Sequence, residues 1–233
     1  MEKPSRREFD AYAQKYQDLL NDPIRERFAK NQIFFHRRKL EVLLDLLKED
    51  DVDPSSQSWL DVGCGKGELL EMGRSRFALA SGCDPSAEMI QPSGLGNVRV
   101  QEDLNRLPFE DASFDLVTAV CVYHHVEPAD RKALGDEIRR VLRPGGRFCI
   151  FEHNPWNPAT RIIVSRCPVD RNAVLLSRGE SVRTLRQSGF MTAASRFFLF
   201  LPEQLYNIAP VVENLLGSVP FGGQFAVLFR RAG

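Results

Sequence analysis

Glycines 63, 65 and 67 occupy alternate positions in SWLDVGCGKGELL, where a short apolar stretch gives way to a polar one. Glycine tolerates dihedrals and close approaches that a Cβ forbids, so this spacing suits a strand-to-helix turn that makes room for a nucleoside, or an ordinary tight turn. The pattern is GxGxG. It differs from the GxGxxG of dinucleotide sites and the GxxxxGK[ST] of phosphate loops, and so implies no pyrophosphate cradle. Asp84 follows at the end of ALASGCDPS, roughly twenty residues on, where a carboxylate at a strand tip can accept both hydroxyls of a ribose or cap the helix begun by PSAEMI. His124, His125 and His153 also follow apolar runs, and imidazoles at such places are candidates for moving a proton. His125, in YHHV, is the first choice as a base, with packing against the next helix as the alternative. Glu152, beside His153, could orient an imidazole or bind an acceptor, or else cap a helix or hold a charge pair.

The elements that would position these groups are legible in the apolar pattern. Phe9, Tyr12, Tyr16 and Leu19, then Leu40, Leu43, Leu44 and Leu47, recur at helical spacing before DVDPSSQS breaks the pattern. From Ser58 onward strands predicted at 58–63, 78–83, 98–101, 114–122 and 146–152 alternate with helices near 66–74, 86–91 and 129–142. Such alternation predicts a parallel sheet with helices on both faces and right-handed crossovers. Pro144, Gly145 and Gly146 stop the third of these helices and start a buried strand. Residues 154–178, rich in Asn and Pro, read as an insertion at the carboxyl end of the fifth strand. A helix at 179–188, a strand at 191–200, a Pro-bounded helix at 203–216 and a strand at 223–230 complete the chain.

Composition narrows the partners. The chain has 233 residues, 43% hydrophobic and 27% charged, enough for one globular domain with a sizeable core. Lys+Arg and Asp+Glu number 31 each, so no net field draws in nucleic acid or an acidic membrane, and a small or neutral partner is expected. Five cysteines without CxxC spacing suit buried free thiols in a reducing compartment. No signal-peptide core and no apolar run of spanning length are present, which makes the cytoplasm the expected location.

Four ordered stretches together resemble the class I S-adenosylmethionine-dependent methyltransferases: LDVGCGKGELL, GCDPS, EDLNRLPFEDASFDLV and LRPGGRFCI. The resemblance is close over about residues 58–152. It implies an α/β, Rossmann-like, seven-stranded and mostly parallel sheet with helices on both faces, its last strand antiparallel, a helical cap over residues 1–52 and the methyltransferase domain over 53–233. It also implies S-adenosyl-L-methionine as cofactor, with Asp61, Gly63, Cys64, Gly65 and Gly67 around its methionine end and Asp84 on the ribose. Ser86 or its neighbour would flank the adenine, Asp103 and the Leu104 backbone would read its amino group, and Cys121 with Val122 would meet the sulfonium. Tyr12 and Tyr16 resemble part of an amino-terminal lid, or are core aromatics of an amphipathic helix.

Methyl transfer from a sulfonium is an in-line displacement, so the protein mainly aligns nucleophile, methyl and sulfur. Positioning alone can supply roughly 7–11 kcal/mol. His125, His153 and Glu152 are the groups expected to assist, and His36 is expected to be structural or superficial. Metal-assisted transfer would call for clustered carboxylates; Glu152 has little beside it, so no metal is expected. The acceptor pocket is expected from the early helices, the insertion and helix 203–216. Their apolar residues, among them Trp156, Ile162, Leu205 and Tyr206, favour a small molecule, accepting on O, N or C, over nucleic acid. A monomer or homodimer is expected. The rival reading keeps the cofactor as a scaffold for cyclisation, isomerisation or binding without methyl transfer.

Overall fold

In the computed structural model, residues 10, 12–90 and 96–232 are described. Phe9 and Gln91, which the sequence places in helices, lie outside them. Seven strands form one sheet: β1 (Ser58–Val62), β2 (Leu79–Asp84), β3 (Val98–Val100), β4 (Phe114–Val120), β5 (Leu142–His153), β6 (Phe190–Phe198) and β7 (Gln224–Arg231). Their order is β3-β2-β1-β4-β5-β7-β6. The first five run parallel, and β7 is antiparallel to both β5 and β6, as the resemblance implied. The helices are α1 (Tyr16–Leu19), α2 (Pro23–Phe28), α3 (Gln32–Glu49), α4 (Glu68–Gly73), α5 (Ala87–Ile90), α6 (Arg131–Val141), α7 (Pro158–Arg166), α8 (Arg178–Gln187), α9 (Glu203–Ile208) and α10 (Pro210–Leu215).

Alternate residues of each central strand enter opposite cores, because successive side chains of a strand point to opposite faces. Trp59, Phe151 and Leu228 pack with Phe34, Leu43, Leu46 and Leu47 of α3 on one face. Leu60, Ile150, Val227 and Phe229 pack with Ile138 of α6 and Leu185 of α8 on the other. The segment 1–52 expected as a cap therefore has two parts. Helix α3 is a layer of the core, pinned at its end by Asp50, which accepts hydrogen bonds from Arg147 Nε of β5 at 2.9 Å and Arg230 Nε of β7 at 2.8 Å. The stretch from Tyr16 to Arg25 lies instead over the carboxyl ends of the strands.

Two expected elements differ, both at prolines. The helix expected over 203–216 is broken into α9 and α10 at Ala209, whose extended φ of −135° is what the ring of Pro210 demands of the residue before it. Helix α6 ends at Val141, and the chain is already in β5 at Leu142, ahead of Pro144; the register against β4 shifts there between Phe114 and Leu116. The expected insertion carries α7, whose start is capped by Asn157 accepting from Thr160 N at 3.0 Å. No described helix is long and apolar enough to cross a membrane.

Candidate active site

Four chain segments converge where the parallel strands end, the place at which open α/β sheets hold ligands. After β1 the glycine turn is knitted onto the end of β2: the Gly63 and Cys64 amides donate to Cys83 O at 2.8 and 3.0 Å, and the Gly65 amide donates to Asp84 Oδ2 at 2.8 Å. Gly63 sits at φ +69°, and a Cβ on it would stand 2.6 Å from Val122 Cγ2, so only glycine fits where the β1 and β4 ends approach. Cys121, just past β4, also adopts a left-handed φ of 58° without being glycine. Such conformations persist only where the surroundings enforce them.

Two cavities open above this edge. One, of about 340 Å³, is lined by Val62, Asp84, Pro85, Met89, Gln101, Leu104, Asn105, Val122, Val126 and Leu134, an apolar slot with a few polar groups. The other, of about 170 Å³, lies under the amino-terminal segment and is lined by Arg25, Lys39, Asp61, Cys64, His124, His153, Asp170 and Gln224, among others. Tyr16, Gly63, Gly65, Val120, Cys121 and His125 line both and mark their junction.

The smaller cavity is electrostatically unusual. Asp61 is buried, with burial pushing its carboxyl up to about 7 against the opposing hydrogen bond from Thr118 Oγ1 at 2.6 Å; that hydroxyl in turn accepts from Trp59 Nε1 at 2.8 Å. Burial also pushes the Cys121 thiol up, but the Lys39 ammonium and His153 outweigh it and bring the thiol down to about 7. Glu152 is fully buried, accepting from the Tyr123 amide at 2.7 Å and lying 2.5 Å from His124 Nδ1. Burial disfavours the His124 imidazolium, yet Glu152 and Asp170 outweigh it and raise the group to about 10. Next to it, burial and then the charge of His124 lower His125 to about 4, so His125 is neutral at pH 7.

The structure gathers Tyr16, Asp61, Gly63, Cys64, Gly65, Asp84, Leu104, Cys121, His125 and His153 around the two cavities. Four other sequence candidates line neither. Gly67 caps α4. Ser86 Oγ donates to Asp10 at 2.6 Å and accepts from the Met89 amide at 3.2 Å. Asp103 accepts from the Asn105 amide at 2.8 Å, leaving Gln101 and Asn105 as the polar groups on that wall of the slot. Glu152 lies behind the cavity wall, where its two carboxylate oxygens meet the Tyr123 amide and His124 Nδ1. His36, expected to be structural or superficial, lines the smaller cavity with its Nδ1 buried and without a hydrogen-bond partner among the described residues.

Sequence reading also missed Lys39, Gln101, Asp170 and Gln224. A signal existed for the first: Gln32, Phe35, His36 and Lys39 follow the i, i+3, i+4, i+7 spacing of one helix face, and all four line the cavity. Asp170 lies in the irregular insertion, where no periodicity points to it.

Comparison with known proteins bears on the fold and the family. Residues 60–150 match the family profile described as a methyltransferase domain. A probable tRNA methyltransferase 9B of Mus musculus is 37% identical over 95 residues, 39% of this chain and 20% of that protein. The ubiquinone/menaquinone biosynthesis C-methyltransferase of Hahella chejuensis is 34% identical over 168 residues, 64% of this chain and 60% of that protein. The chain thus spans less than two thirds of the length of these curated relatives. Among solved structures, an S-adenosylmethionine-dependent methyltransferase of Thermotoga maritima, described as a possible histamine N-methyltransferase, superposes with a TM-score of 0.68 over 96% of this chain and 98% of that one at 18% identity. The two chains share this fold.

Proposed function

We propose, from the match of residues 60–150 to a methyltransferase-domain profile and from the two cavities, that the chain is a class I S-adenosylmethionine-dependent methyltransferase and moves the sulfonium methyl to a small molecule held in the 170 Å³ cavity. One observation carries the reading: the two cavities meet at Cys121 and His125, past the end of β4, so a cofactor with its nucleoside in the larger one would carry its methionine end and its methyl across the junction into the smaller. Asp84 would accept the ribose hydroxyls, and the apolar slot with Gln101 and Asn105 would take the adenine. Asp61 would hold the methionine ammonium and Lys39 its carboxylate. When bound, the cofactor supplies an electrophilic methyl. The chain aligns the acceptor with it, and the Tyr16–Arg25 segment covers the pair and excludes water. Where the acceptor carries a proton, the two imidazoles that line its cavity, His125 at the junction and His153, are placed to accept it.

A cavity of this size beneath helices suits a small molecule better than a polynucleotide, and the balanced charge of the chain supports that choice. The test is calorimetric titration with S-adenosylmethionine and S-adenosylhomocysteine, then a screen of small acceptors and of bulk tRNA for S-adenosylhomocysteine formation. Binding of both nucleosides, with one S-adenosylhomocysteine per methylated small molecule, is expected. Methylation of tRNA alone would overturn the acceptor class, and a product formed without S-adenosylhomocysteine would favour the cyclase or isomerase alternative.

A further inference from the structure

Above the end of β5, two imidazoles and a carboxylate bring one possible ligand atom each close together. His124 Nε2 lies 3.5 Å and His125 Nε2 3.4 Å from Asp170 Oδ1, and the three atoms fall within 4.8 Å of one another. Both separations are within ion-pair reach and longer than the roughly 2.7–3.2 Å of a close N–H···O hydrogen bond. They are also compatible with what a tetrahedral ion would impose. With metal–ligand bonds of about 2.0–2.1 Å, neighbouring ligand atoms stand ~3.3–3.4 Å apart.

The surroundings favour the same reading. The Nδ1 of His124 is 2.5 Å from Glu152 Oε2, and the other carboxylate oxygen is held by the Tyr123 amide at 2.7 Å. A carboxylate on Nδ1 fixes the ring and directs Nε2 outward, the outer support commonly found behind a metal-bound histidine. The ligands come from two places, the turn after β4 and the insertion after α7, so their convergence does not follow from one element's local geometry. All three line the smaller cavity, on the side where the methyl would emerge.

We propose that His124, His125 and Asp170 form a site for one divalent transition ion of the zinc kind, with a fourth position open to the acceptor cavity; the ion takes the place of the proton on His124 Nε2, which is released to solvent as it binds. Two imidazoles and one carboxylate suit zinc or a neighbouring ion, whereas magnesium prefers six oxygens. An open position there would take an oxygen donor, so the acceptor class is a molecule bearing a hydroxyl or carboxylate that coordinates the ion beside the methyl. With the ion in place His125 serves as a ligand, and His153 is left as the imidazole that can accept a proton. The ion site stands by itself; only its use for an acceptor rests on the methyltransferase reading.

The experiment uses the full chain, stripped with a chelator and dialysed, titrated with Zn2+ by calorimetry and with Co2+ by visible absorption. One ion per chain is expected, with the intense d–d bands of four-coordinate cobalt. Asp170→Asn and His125→Gln should each weaken Zn2+ binding at least tenfold, and Glu152→Gln by about 10- to 100-fold. Circular dichroism and melting curves establish that each variant is folded. Absence of stoichiometric Zn2+ or Co2+ binding by the wild type, or unchanged affinity in folded Asp170→Asn, would overturn the site. Titration of the metal-free chain with S-adenosylmethionine separates the two ideas: nucleoside binding without ion binding refutes the ion site alone, and ion binding without nucleoside binding supports it while the proposed transfer fails.

Discussion

Asp61 offers a quantitative test of where the methionine end of the cofactor lies. Burial holds its carboxyl up to about 7, so in the free protein it carries a proton over much of the mildly acidic range. If the ionised carboxylate receives the cofactor ammonium, the apparent Kd scales as one plus the ratio of protonated to ionised Asp61. That factor is about 33 at pH 5.5 and about 2 at pH 7.0, so the cofactor should bind about sixteenfold more weakly at the lower pH, a difference of about 1.6 kcal/mol. The ammonium of the ligand stays charged throughout, since an α-amino group titrates at about 7.7–8.0. Calorimetry at 0.5-unit steps, in two buffers of different ionisation enthalpy, would read both the slope and the proton released. Asp61→Asn should bind weakly at every pH and lose the slope. Thr118→Val removes the hydrogen bond that holds the carboxyl down and should move the midpoint upward. The linkage has a second consequence of known sign. A carboxyl raised in the folded state stabilises the free protein below its unfolded value of about 3.9, and that contribution is lost as pH rises toward 7. A Kd unchanged between pH 5.5 and 7.0, or a slope that survives in Asp61→Asn, would refute the assignment.

Three further outcomes are expected. Gly63→Ala should cost about 1–2 kcal/mol from the left-handed backbone alone and more from the 2.6 Å approach to Val122 Cγ2; Val122→Ala should recover part of the loss in melting temperature, and full additivity would deny the contact. Asp50→Asn should cost about 1–3 kcal/mol at pH 7 by loosening α3 from β5 and β7. Burial pushes that carboxyl up, but Arg230 and Arg147 outweigh it and hold it below its ordinary value. The difference from wild type should therefore be present above about pH 4 and shrink as pH falls below it, and a constant difference down to pH 3 would contradict the pairing. Lys39→Met should raise the Cys121 thiol from about 7 and slow its alkylation by iodoacetamide at pH 7, with an unchanged rate denying that the ammonium acts there.

What was legible in the chain follows the reach of local signals. The parallel core was readable because each strand is a short apolar run and each turn carries its own punctuation, such as the left-handed glycines 63, 65 and 67. The tips of β1 and β2 are set by the same residues that form them, so Asp84 could be placed from its spacing to the glycine turn, and Asp61 from the family resemblance. Asp103 shows the limit of that reasoning. Its position along the chain was expected; its carboxylate accepts from the amide two residues on, and Gln101 from the strand end lines the slot. Among the histidines the neighbours are alike in sequence and opposite in environment. His124 points back onto buried Glu152 and is driven toward its charged form, while His125, one residue on, lines the junction of the cavities and is held neutral. Nothing in the letters HH separates them, because the difference comes from β5 and from Asp170 in an aperiodic insertion. Helix α3 hides its role for a related reason: eighteen residues that read as an amphipathic cover also present Lys39 and His36 to the cavity on the same turns that bury Phe35 and Leu43. A polar residue on the apolar stripe of a helix is costly unless it has a partner. That cost is the physical reason to read Lys39 as part of the site, and it makes the alkylation rate of Cys121 a measure of the helix as much as of the thiol.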